Sequence, residues 1–119
     1  MFTMSDNGNG AWIASLTRGD SAEIYVQTVI ENADGQTVDY EMKDNDTLTI
    51  TLRRTTKSDI VLQKTFAGTN VIKLDPSDTE DLDVASYKFD IQLDTEGGDR
   101  YTFNRGDKST WKLLDEVTY

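Results

Sequence analysis

Three stretches of the chain alternate apolar and polar residues with a period of two, and this period restricts the fold more than any other feature. In "SAEIYVQTVIEN", Ala22, Ile24, Val26, Thr28 and Ile30 share one face, while Glu23, Tyr25, Gln27, Val29 and Glu31 share the other. "DTLTITLRR" sets Leu48, Ile50 and Leu52 against threonines, and "ASYKFDIQL" sets Ala85, Tyr87, Phe89, Ile91 and Leu93 against polar residues. Successive side chains of a strand point to opposite faces, so each segment is expected to bury one face and wet the other. No segment carries a long helical stripe, and the class is all-β.

Shorter strands are expected at "AWIASL", "DIVLQKTF", "NVIKL" and "RYTFN", with a final one in "TWKLLDEVTY". Turn signals separate them at Asp34-Gly35, Gly68 and Gly97-Gly98. The spacing predicts an antiparallel sandwich or barrel of about 7–9 strands. A chain of 119 residues is one domain's worth, read as 11–119 behind a polar, flexible segment at 1–10. The expected core is Ile24, Val26, Leu48, Ile50, Leu52, Tyr87, Phe89, Ile91, Leu93 and Trp111, which share the inward phase of their strands. One segment departs from the β pattern. In "LDPSDTEDLD", Asp75 suits a helix cap, Pro76 suits the first turn, and Asp78 falls where a side chain returns to the cap backbone, so one helical turn is expected near 76–82.

Composition removes whole classes of function. The chain holds 22 acidic and 12 basic residues, a formal charge of -10, which repels phosphate backbones and anionic lipid surfaces. Neither nucleic acid nor membrane is an expected partner, and no secretory leader is read in the opening residues. There is no histidine and no cysteine, so Ser-His and Cys-His nucleophiles, the usual neutral-pH base and thiolate metal sites are all missing. The expectation is a protein that is not an enzyme and needs no cofactor.

Several residues invite a functional reading. Arg-Gly-Asp occurs twice, at Arg18–Asp20 and Arg105–Asp107, each between expected strands, and a glycine flanked by charged residues is ordinary turn chemistry. Both are therefore read as turns and not as adhesion motifs. The carboxylates Asp75, Asp78, Glu80, Asp81 and Asp83, with Asp44 and Asp46, are oxygen ligands of the calcium type, but they lack a calcium-loop spacing and are read as solvated loops with no metal. Among the aromatics, Tyr87, Phe89, Phe103 and Trp111 fall in the inward phase. Tyr25 and Tyr40 sit beside polar residues and are candidates for contact with a partner protein. In the last strand Trp111, Leu113 and Val117 share one face, which leaves Leu114 and Tyr119 as further contact candidates. A flat exposed face holding Trp12, Tyr25 and Tyr40 would instead mark a carbohydrate-binding or adhesion domain.

The order of these features resembles a family of immunoglobulin-like β-sandwich proteins of phage tails and baseplates, and is similar in layout to the N-terminal domain of the phage baseplate upper protein. "RGDS" before the first long strand, the "LDPSDTEDL" turn, the "YKFDIQL" strand and the "EVTY" ending carry the likeness, which spans about Trp12 to Tyr119. The resemblance implies an immunoglobulin-like sandwich and a structural or assembly role in the virion, or in the cytoplasm of the producing bacterium. It also implies partners among other tail proteins or further copies of the chain, and no catalytic activity.

Overall fold

Alternation in the sequence becomes alternation in burial wherever it is most regular. The computed structural model describes residues 2–6, 10–31 and 33–115. Its strands are β1 (Phe2–Asp6), β2 (Trp12–Thr17), β3 (Ala22–Tyr25), β4 (Val29–Glu31), β5 (Thr37–Asp39), β6 (Thr47–Arg53), β7 (Ile60–Ala67), β8 (Val71–Leu74), β9 (Ser86–Asp94), β10 (Arg100–Thr102) and β11 (Thr110–Leu114). Leu48, Ile50 and Leu52 of β6 are fully buried while the threonines between them are only half-buried. In β9, Tyr87, Phe89, Ile91 and Leu93 are buried in the same way. Every expected core residue is buried, and Ala14, Leu16, Ile72, Leu74 and Leu113 join them. Ala85 and Phe103 are only half-buried and lie just outside their strands.

The fold is all-β. One seven-stranded sheet runs in the order β1-β2-β11-β9-β6-β7, with β10 also paired to β9. β3 pairs with β8 and β4 with β5 in two small sheets. Ile24 and Ile72 from the β3–β8 pair belong to the same core as Ile50 of β6 and Phe89 of β9, so the pair closes over the inner face of the large sheet. Trp111 lies at its centre, its ring centroid 5.5 Å from Phe89 in an edge-on arrangement and 5.5 Å from Phe2.

Four expectations need correction. The large sheet is mixed: β11 runs parallel to β2, with Trp111 opposite Ala14, while its pairing to β9 is antiparallel. Residues 2–6 are not a segment apart from the domain but form β1, because Phe2 and Met4 alternate with Thr3 and Ser5 and pack their apolar sides onto the core. The single strand expected over "SAEIYVQTVIEN" divides into β3 and β4, because the chain changes partner from β8 to β5 near Thr28. The described strands number eleven rather than seven to nine, the extra ones being β1, β5 and this division.

The helical turn, α1, spans Pro76–Thr79. As its sequence predicts, the Asp75 backbone N–H donates to Asp78 Oδ2 at 2.7 Å. Lys64 of β7 reaches the same carboxylate at 2.8 Å and Asp75 at 3.5 Å, which ties the outer strand to the turn.

Candidate functional site

The two Arg-Gly-Asp tripeptides are turns bonded into the fold. Gly19 adopts φ +85°, a conformation glycine accepts without steric cost, and its N–H donates to the buried Thr79 hydroxyl at 3.0 Å. Arg18 pairs with Asp115 at 3.5 Å and donates to the Leu82 carbonyl at 3.4 Å. At the second tripeptide, the Arg105 N–H donates to Gly10 O at 2.7 Å and the guanidinium pairs with Asp107 at 3.3 Å. The flanking residues fix this turn. Buried Asn104 accepts from the Ile91 N–H at 2.8 Å and donates to Phe89 O at 3.0 Å, and buried Ser109 accepts from the Trp12 N–H at 3.1 Å.

Of the candidate contact residues, Tyr25 is 72 % exposed and Leu114 45 % exposed. Tyr40 departs from expectation. It is half-buried, and its hydroxyl donates to Asp46 Oδ2 at 2.6 Å. Tyr119 and Val117 lie outside the described residues. Asp46, read from sequence as a solvated loop carboxylate, is fully buried. It also accepts from the Lys43 N–H at 2.9 Å and the Glu96 N–H at 2.9 Å, while its own carbonyl accepts from the Gly68 N–H at 2.9 Å. Burial by itself would raise the Asp46 pKa; the bonds from Tyr40, Lys43 and Glu96 outweigh it and hold the carboxyl below its ordinary value. The same bond pushes the Tyr40 phenol up to about 12. Among the described residues no cluster of His, Cys, Asp or Glu is arranged to hold a metal ion, and no helix is long and apolar enough to cross a membrane.

Two of the hollows among the described residues bear on a site. One, of about 260 Å³, is lined by Phe89 and by Thr51, Arg53, Lys88, Asp90 and Asp107, on β6, β9 and the second Arg-Gly-Asp turn. Burial pushes the Asp90 carboxyl up, opposed by the nearby Arg53 charge. With two cations and two carboxylates it presents no net charge of either sign.

The larger is a groove of about 620 Å³ with β1 and Trp12 on one wall and residues 23–29 on the other. Phe2, Met4, Trp12, Ile24 and Val26 give it an apolar floor, and Tyr25 stands at its rim. Tyr25 donates to Glu23 Oε2 at 2.9 Å, and this bond, more than the charge of Glu23, raises its pKa. The volume lies within the range of ordinary ligand clefts. The groove brings Trp12 and Tyr25 together as two of the three aromatics that the sequence offers for a binding face, and leaves Tyr40 out. Sequence reading missed Phe2 and Met4, although their alternation with Thr3 and Ser5 is visible in "MFTMSD". Comparison with family models, with curated proteins and with solved structures finds no match.

Proposed function

We propose that the chain is a non-enzymatic docking module that receives a partner protein in the groove between β1 and residues 23–29. The observation that carries this reading is the groove itself, an apolar floor open to solvent beside a tyrosine that is 72 % exposed. Exposed apolar surface of this kind is characteristic of binding sites. The lack of histidine and cysteine supports a non-catalytic role. The resemblance to phage tail and baseplate domains supports a setting among virion tail proteins, with Leu114 as a second contact on the far side of β11.

Co-expression with the proteins encoded beside it, followed by pull-down, tests the reading. A neighbour is expected to be retained by the wild type and lost with Tyr25→Ala. Leu114→Asp separates the second contact from the first. Trp12 and Tyr25 in one groove also favour a second reading, a carbohydrate-binding domain, because sugar rings stack on aromatic faces. Retention of an oligosaccharide from a glycan panel, with no neighbour bound, would replace docking by that reading.

A further inference from the structure

Backbone N–H and C=O groups of successive strand residues point to alternate sides, so one hydrogen bond sets the direction for the whole strand. The Val26 N–H donates to Asn70 O at 2.8 Å and continues the register in which Ile24 lies opposite Ile72. Ala22, Ile24 and Val26 therefore turn their backbone groups to β8, and Glu23, Tyr25 and Gln27 turn theirs the other way. After Val26 the same side is taken up by the segment of β5, since the Tyr40 N–H donates to Thr28 O at 2.8 Å. Along 22–31 one side is paired throughout, and the other has no ladder partner among the described residues.

The opposite wall follows the same logic. The Arg18 N–H donates to Leu114 O at 2.8 Å and the Trp12 N–H to Ser109, so Trp12, Ala14 and Leu16 face β11. Ile13 and Ser15 then bond to Ser5 and Thr3 of β1, and Phe2 and Met4 direct their backbone groups outward. Among the described residues, two unpaired strand edges thus line one groove. Free edges are usually blunted by lysine, proline or a bulge. The far edge of the large sheet, β7, carries Lys64 in its middle, whereas neither 2–6 nor 22–29 contains a lysine or a proline.

We infer that the groove takes an extended segment of the partner, which adds as a strand to the free edge of β3 and carries apolar residues alternating with lysine or arginine. The inference rests on the docking reading and specifies its partner. Residues of the added strand on the inner face lie beside Ile24 and Val26, over Phe2 and Met4, and are apolar for the same reason those are. Residues on the outer face lie beside Glu23, the one charged residue among the described lining of the groove, and beside the Tyr25 ring, which attracts a cation. The net charge of -10 adds a long-range pull on the same basic face.

A fluorescein-labelled synthetic peptide alternating lysine with valine or isoleucine is the probe, set beside the same peptide N-methylated on alternate backbone amides. Binding by fluorescence anisotropy is expected for the first and not the second. It should weaken about tenfold with Glu23→Lys and fall as salt rises. Amide exchange at Glu23 and Tyr25 should slow in the complex. Equal binding of the N-methylated peptide, unchanged exchange at both amides, or no peptide binding at all overturns strand addition. If a neighbouring protein is still retained and Tyr25→Ala still releases it, docking at the groove stands without it. Retention indifferent to Tyr25→Ala removes the docking reading itself.

Discussion

Replacing Asp46 probes the most connected polar group of the described fold. Asp46→Ala deletes the acceptor for the Lys43 and Glu96 N–H groups and for the Tyr40 hydroxyl. A hydrogen bond to a charged group contributes about 1.5–3 kcal/mol, and the two backbone donors sit in loops that water reaches once the carboxylate is gone. The net loss expected is about 3 kcal/mol, or about 10 °C in melting temperature for a domain of this size. Asp46→Asn keeps one acceptor oxygen but sets an NH₂ against a backbone N–H, and should lose about half as much. The pH dependence separates this account from simple loss of packing. Because the Asp46 pKa is lower in the folded chain than in the unfolded one, its contribution is complete above the ordinary carboxylate pKa and disappears as pH falls through the folded value. Urea melts at a series of pH values should therefore show the wild type and Asp46→Asn converging in acid. A difference below about 1 kcal/mol at neutral pH, or one that does not shrink in acid, would refute the reasoning.

Phe89 is 1 % exposed and packs edge-on against Trp111, so Phe89→Ala should cost about 3–5 kcal/mol in a denaturant melt. Both Arg-Gly-Asp turns are held by internal bonds, so cells spreading on immobilised protein should be indifferent to Asp20→Glu and Asp107→Glu. Asn104→Ala leaves the Ile91 N–H and the Phe89 carbonyl without their partner in a buried position, and should cost about 2 kcal/mol by the same melt.

Strands with one buried face were legible because burial repeats with the period of the backbone. Leu48, Ile50 and Leu52, or Tyr87, Phe89, Ile91 and Leu93, report their own environment without reference to any other segment. The turn at Pro76 was legible for a related reason, since Asp75 and Asp78 complete its bonding locally. Pairing between distant segments has no such local mark. Nothing near Trp12 or Trp111 indicates that β2 and β11 lie side by side and run parallel. The burial of Asp46 is hidden because an aspartate followed by Thr47 reads as a loop, while the donors that make its burial tolerable come from Tyr40, Lys43 and the distant Glu96. Trp12 and Tyr25 stand out singly in the sequence; their meeting in one groove depends on β1, whose five residues fall within a segment that is polar by composition.

The parallel contact of β11 with β2 also bears on how the chain reaches this fold. Among the described strands, β11 alone joins the β1–β2 pair to β9, β6 and β7. Trp12 and Ser109, at the start of that junction, are 97 positions apart, and closing a loop of that length costs about 4 kcal/mol by the logarithmic law, before any contact offsets it. The antiparallel β6–β7–β9 block and the β1–β2 hairpin need far shorter closures. Both should form early and wait, each with its inner edge unsatisfied, until β11 slots between them. On a ribosome that wait lasts until the residues from Thr110 onward have emerged, and a chain interrupted before them holds two half-sheets with aggregation-prone inner edges.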